Sequence, residues 1–115
     1  MPQLVPPECE LKTPDVNLEG VHPKLIDFLT VMGPLHRLLF GAPLVITSAK
    51  DGAHSATGLH PQGRAVDLRT HDLAAQDALL FVHLVAHAAL TLPLGYFWEV
   101  RQPGGAHLHV EWHGE

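Results

Sequence analysis

The chain contains a single cysteine, Cys9, among its 115 residues. One cysteine cannot form an intramolecular disulfide, and it cannot supply a cysteine-rich zinc site. Any bound metal must therefore be held by other side chains. A chain of this length has room for one domain, and its 46% hydrophobic content can fill one core without covalent help.

Basic residues are also few: seven Lys and Arg are scattered along the chain, and the formal net charge is −5. Nucleic-acid-binding proteins normally carry a basic stripe, so nucleic acid is not an expected partner. The first ten residues lack the basic start and apolar run of a secretory signal, which predicts a protein that is cytoplasmic as synthesised. From Ala78 to Trp98 no charged residue occurs, but His83, His87 and a break at residues 91–95 argue against a membrane span.

The first twenty residues hold four prolines and no periodic apolar pattern, which predicts an extended N-terminal arm. Residues 21–115 are expected to form a single domain. Apolar spacing from Pro23 onward predicts a helix, with a kink or a division into two short helices at Gly33–Pro34. A second helix is expected to be capped by Asp72 and to run to about Leu90.

Four strands are predicted around these helices, at residues 44–47, 64–69, 95–101 and 106–112, with a hairpin turn at 102–105. The order is helix, strand, strand, helix, hairpin. It predicts an α+β domain with a small, mostly antiparallel sheet and helices packed on one face.

Histidine is the residue in excess, with ten in the chain. In the last predicted strand, alternation puts His107, His109 and Glu111 on one face and apolar residues on the other. In the strand at 64–69 it puts Asp67 opposite Val66 and Leu68. If these strands are neighbours, Asp67 and a histidine project from the same face of the sheet.

His60 stands in the loop before the second strand, where Gly63 provides a bend that can bring it over the sheet. Two histidines and one carboxylate are a recurrent catalytic zinc shell that leaves a fourth position for water. On these residues alone, a zinc centre formed by His60, Asp67 and a histidine of the last strand is one open interpretation, and a structural or adventitious histidine cluster is the other.

The stretch DGAHSATGLHPQGRAVDLRT at 51–70, followed by AHLHV at 106–110, resembles the zinc-site signature of the hedgehog signalling domain. Bacterial and phage zinc D,D-carboxypeptidases and L-alanyl-D-glutamate endolysins carry the same signature on the same fold. The resemblance spans residues 21–112 in element order. It implies a hedgehog/D,D-peptidase-like fold, with one zinc ion on His60, Asp67 and His109.

The resemblance also implies roles for further residues. His107 matches a histidine that acts as acid/base or stabilises the transition state, and Glu99 is the counterpart of a catalytic carboxylate. Glu111 is the alternative base on geometry, because it shares a strand face with the histidines. His54 matches a histidine at the border of the metal cleft, and Ser55 follows it in the signature. Peptidases often hold a substrate-binding arginine before the signature, and Lys50 is the nearest candidate here.

A zinc peptidase that acts on peptidoglycan stem peptides is therefore the leading functional hypothesis, of D,D-carboxypeptidase or L-Ala-D-Glu endopeptidase type. It places the site of action at the cell wall and fits a phage or prophage lysis protein, by analogy with the relatives. Two alternatives stay open. One is a zinc-binding recognition module of the hedgehog type without turnover, and the other is a histidine-rich metal carrier that holds several ions. The oligomeric state is left open.

Overall fold

The computed structural model describes residues 3–51, 59–100 and 105–115. These residues form, in chain order, β1 (Cys9–Leu11), α1 (Pro23–Phe40), β2 (Leu44–Ser48), β3 (Ala65–Arg69), α2 (Ala75–Ala88), β4 (Leu94–Glu99) and β5 (His107–Trp112). The predicted α+β class and the predicted order of helices and strands are confirmed, and β1 is an additional strand. The hairpin turn predicted at 102–105 falls almost entirely outside the described residues.

All the strands form one sheet in the order β1-β2-β3-β5-β4. Three neighbouring pairs are antiparallel, but β1 runs parallel to β2. The sheet is therefore mixed, and the prediction of a mostly antiparallel sheet is corrected. The reason is that the chain leaves β1, passes through α1 and returns as β2 in the same direction, as parallel pairing through a crossover helix requires.

The N-terminal segment contributes to the core as well as to the sheet. Val16 and Leu18 are 2% and 5% exposed, although no periodic pattern announces them. Gly33 of α1 lets this segment pack closely, because a Cβ there would overlap the carbonyl oxygen of Pro7 and lie 2.7 Å from Cys9 Sγ. The absence of a side chain at one helical position thus sets how near β1 lies to α1.

Both helices differ in detail from their predictions. Helix α1 is one helix through Pro34, without division at that point, and it ends at a left-handed Gly41. Helix α2 begins at Ala75 after Ala74, and no side chain caps it, so the prediction of an Asp72 cap is wrong. The Asp72 carboxylate instead lies 4.0 Å from Arg69 Nη1.

The charge-poor stretch that begins at Ala78 is divided between α2 and β4. Within the ranges 3–51, 59–100 and 105–115, none of the helices combines the length and the hydropathy needed to cross a bilayer.

The two faces of the sheet are chemically distinct. In β5, Leu108, Val110 and Trp112 are buried, while the residues between them are partly exposed, so the predicted alternation is confirmed. The inward residues of the sheet and the buried faces of both helices share one apolar cluster. The opposite face of β3, β5 and β4 carries these residues in cross-strand rows: Ala65, Glu111 and Gly95; Asp67, His109 and Phe97; Arg69, His107 and Glu99.

Candidate metal centre

Three side chains meet on the polar face of the sheet: His60, Asp67 and His109. Asp67 of β3 and His109 of β5 are direct cross-strand partners, which brings their side chains together. One nitrogen or oxygen atom from each of the three residues lies within 4.8 Å of the others. The convergence expected from sequence is therefore present, and this group could hold a metal ion.

His60 reaches the group from the loop before β3. The amide of Gly63 donates to the carbonyl of His60 at 2.9 Å, and Gly63 has a φ of 74°, which few residues with a side chain adopt. This tight turn folds the loop back over the sheet. The imidazole is 1% exposed, and its Nδ1 donates to the carbonyl oxygen of Ala49 at 2.8 Å. That bond leaves Nε2 as the lone-pair nitrogen, and Nε2 lies 3.4 Å from Asp67 Oδ1.

The two ring nitrogens of His109 have different partners. Nδ1 lies 2.8 Å from Asp67 Oδ1 and 3.3 Å from His60 Nε2, whereas Nε2 lies 2.8 Å from Glu111 Oε1. A histidine that ligates a metal commonly donates its other ring N–H to a carboxylate or a carbonyl, which fixes the tautomer and the ring orientation. Both histidines of the group have such a partner, so both are set up to offer a lone pair inward.

Glu111 is itself held in place. Its second carboxylate oxygen lies 2.8 Å from Nε2 of His113. The ring of His113 lies over Gly95, where a Cβ would come within 2.7 Å of His113 Cε1, and Gly95 is the cross-strand partner of Glu111. The geometry makes Glu111 an outer partner that orients His109, and a base role for Glu111, the alternative considered above, would break this bond.

Replacing Glu111 by alanine should weaken zinc binding about 10- to 100-fold, the usual cost of losing an outer-shell partner. Glu111→Gln should lose less, because the amide oxygen can still accept from His109 Nε2. Competition with a fluorescent chelator measures both dissociation constants. Glu10→Ala, at the exposed position of β1, is the control and should bind zinc normally. Unchanged affinity in Glu111→Ala would contradict the orienting role.

The charges of the group depend on one another. Burial alone would raise the pKa of Asp67, but hydrogen bonds to His109 and His60, and the positive charge of these imidazoles when they are protonated, outweigh burial and hold that pKa well below its ordinary value. Burial would lower the pKa of His109, but its hydrogen bonds to Asp67 and Glu111 raise it instead. Burial would likewise raise the pKa of Glu111, and its bonds with His113 and His109 lower it. Without metal, these shifts favour the charged forms of Asp67 and His109, whose Oδ1 and Nδ1 atoms lie 2.8 Å apart.

The donor set fits a divalent transition metal. Two imidazole nitrogens and one carboxylate oxygen suit zinc, with a coordination position left over. Ser48 provides a second indication of a bound ion. It is paired across the strands with Asp67, and it is 7% exposed. Its hydroxyl has no hydrogen-bond partner within the described parts of the chain. A buried hydroxyl without a partner, at the strand position paired with Asp67, is the kind of feature that a bound ion or water explains.

The other predicted site residues lie at different distances from this group. His107 is on the same face, with Nε2 4.0 Å from Asp67 Oδ2, and Glu99 is its cross-strand partner in β4. Lys50 is exposed, and its ammonium lies against Gly20, where a Cβ would be 2.7 Å from Nζ. His54 and Ser55 lie outside the described residues.

Sequence reasoning missed two contributors to the site. One is the carbonyl of Ala49, which accepts from His60, and the other is His113, which lies 2.8 Å from Glu111. Nothing in the sequence marks the carbonyl of Ala49 as the partner of His60, since that contact depends on the path of a loop.

No family model, no curated protein and no solved structure matches this chain.

Proposed function

We propose that the protein is a zinc-dependent peptidase that hydrolyses a peptide bond in peptidoglycan stem peptides. The observation that carries the proposal is the convergence of His60, Asp67 and His109. Each histidine is oriented by a hydrogen bond from its other ring nitrogen, and three protein ligands leave a fourth coordination position. The resemblance of residues 51–70 and 106–110 to zinc D,D-peptidases supports the choice of reaction. A zinc ion bound there would polarise the scissile carbonyl and lower the pKa of a water molecule.

The chain provides groups for the accompanying proton transfer. His107 is 18% exposed in its side chain and stands beside Asp67, so it is close to the ligands without being one of the three. Its Nε2 can take a proton from the attacking water and return it to the leaving amine. Glu99 flanks His107 in the next strand and provides a carboxylate that can share this work or steady the imidazolium.

The proposal is tested with zinc-loaded protein incubated with a D-Ala-D-Ala peptide, with an L-Ala-D-Glu peptide and with purified peptidoglycan. Chromatography of the products should show cleavage of one bond type. His107→Ala and Glu99→Gln should bind zinc normally and lose about 10²- to 10⁴-fold in turnover, as expected for removal of an acid/base group.

The matched controls are His83→Ala, at an exposed position of α2, and Glu10→Gln, at an exposed position of β1. Both should keep full turnover. Zinc-loaded protein that cleaves none of these substrates would refute the peptidase proposal. That result would leave a zinc-binding recognition module of the hedgehog type as the function of the same site.

A further inference from the structure

Arg69, at the end of β3, lies on the same face of the sheet as the metal group. It is two residues along the strand from Asp67, which corresponds to about 6.8 Å between Cα atoms. Its cross-strand partner is His107, and Glu99 completes the row. Arg69 therefore belongs to the row of residues that borders the three candidate ligands on one side.

The contacts of Arg69 leave most of its donors available. Its side chain is 24% exposed, and within the described parts of the chain its one ion-pair contact is Nη1 to Asp72 Oδ2 at 4.0 Å. That carboxylate is 53% exposed, and ion pairs of this length at the surface contribute little. Its Nε is buried and has no hydrogen-bond partner among the described residues.

Two other cations of the described residues, Arg64 and Lys50, are occupied or directed elsewhere. Arg64 donates from Nη1 to the carbonyl of Gly114 at 2.6 Å. Lys50 lies with its ammonium against Gly20. Among the described residues of β3, β4 and β5, Arg69 is the one Lys or Arg on the face that carries Asp67 and His109.

We propose that Arg69 binds a carboxylate of the substrate, namely the C-terminal α-carboxylate of a peptide whose last bond lies at the metal. Arginine presents paired N–H donors that match a carboxylate, and its two Nη groups are such a pair. One residue of peptide separates a scissile carbonyl from a terminal carboxylate. The spacing of about 6.8 Å along β3, together with the length of the arginine side chain, can accommodate that separation.

This inference rests on the proposed function and makes it more specific. A subsite for a terminal carboxylate beside the metal group selects a carboxypeptidase over an endopeptidase. An endopeptidase substrate continues beyond the scissile bond and would bring an amide, which cannot form a charge-assisted pair with the guanidinium, to the same place.

The test compares N-acetyl-D-Ala-D-Ala with its C-terminal amide on the zinc-loaded full chain. Calorimetry gives the dissociation constants, and KM replaces them if the peptide is cleaved. The unmodified protein should prefer the acid about 10- to 100-fold, which corresponds to one pair of hydrogen bonds to a charged group. Arg69→Gln should lose this preference while its zinc dissociation constant stays the same.

Arg69→Lys keeps the charge without the paired donors, so it should retain only part of the preference, and it provides the same comparison if the glutamine variant does not fold. Lys24→Gln, at an exposed position of α1, removes one positive charge elsewhere and should leave the preference intact.

Equal binding of acid and amide by the unmodified protein would overturn the subsite. So would a preference that survives in Arg69→Gln but disappears in Lys50→Gln. If the protein cleaves neither peptide, the peptidase proposal is refuted. The ratio of the dissociation constants for the acid and the amide then still tests whether Arg69 binds the carboxylate.

Discussion

Single replacement of any of the three candidate ligands, by Asp67→Asn, His60→Ala or His109→Ala, should abolish zinc binding at micromolar metal. Loss of an outer-shell partner costs about 10- to 100-fold in affinity, and loss of a direct ligand should cost about 1,000-fold or more. Asp67→Asn is the most informative change, because it keeps the shape of the side chain and removes the negative charge. Metal analysis after gel filtration should show one zinc per unmodified chain and almost none in each variant.

The control for this experiment is His87→Ala, which removes an exposed histidine of α2 and should retain one zinc per chain. A histidine-rich carrier predicts a different outcome, with several ions per chain and a gradual loss as histidines are removed. If Asp67→Asn still bound one zinc with the original affinity, the metal centre as described here would be wrong, and the peptidase proposal would fall with it.

Zinc should raise the melting temperature by about 15 °C near pH 7.5 when the free metal is about 1,000 times its dissociation constant. Binding to the folded state alone then contributes about 4 kcal/mol, and a domain of this size gains about 4 °C for each kcal/mol. Thermal unfolding followed by circular dichroism, with and without zinc, measures the shift. The unmodified protein with magnesium should show almost no shift, because imidazole nitrogens do not suit that ion.

The shift should become smaller as the pH falls, and the sign follows from the pKa values of the metal-free group. The pKa of His109 is raised above 6.5, so the contribution of His109 to stability is complete below 6.5 and is lost as the pH rises through its folded pKa. The pKa of Asp67 is lowered from 3.8, so its contribution is complete above 3.8 and is lost as the pH falls through its folded pKa. The metal-free pair therefore contributes most between pH 3.8 and 6.5.

Zinc must displace the proton from His109, so the metal competes with the most stable charge state of that pair. The zinc-induced shift should consequently be larger at about pH 7.5 than at about pH 5.5, and Asp67→Asn should show no zinc-induced shift at either pH. A shift that is equal at the two pH values would mean that His109 is not a ligand.

The sequence predicted much of the sheet because alternation within a strand is a local property. The pattern in residues 106–112 separates Leu108 and Val110 from His107 and His109, and burial in β5 follows it. The prediction failed for β1, because three residues without a periodic apolar pattern become a strand only when β2 lies beside them. It also failed at the start of α2, where Asp72 has the right chemistry for a cap but lies outside the helix.

The candidate site shows the same division. Residue types and spacing indicated His60, Asp67 and a histidine of the last strand, and the resemblance of residues 51–70 and 106–110 to zinc peptidases selected His109. The sequence shows these residues only as separate members of two distant segments. The bonds that orient the ligands could not be predicted, because the Ala49 carbonyl reaches His60 through a loop and His113 reaches Glu111 over a glycine of another strand. These contacts depend on the three-dimensional path of the chain.

The sequence by itself determined the supply of ligands, the two faces of the strands and the absence of any disulfide. The tertiary structure decided the strand order and the mixed sheet, the orientation of both histidines and the position of Arg69 beside His107. The physical reason is that periodicity and composition act over a few residues. Register and hydrogen-bond partners, in contrast, are set by the packing of segments that lie 40 or more residues apart, such as Asp67 and His109 with a separation of 42.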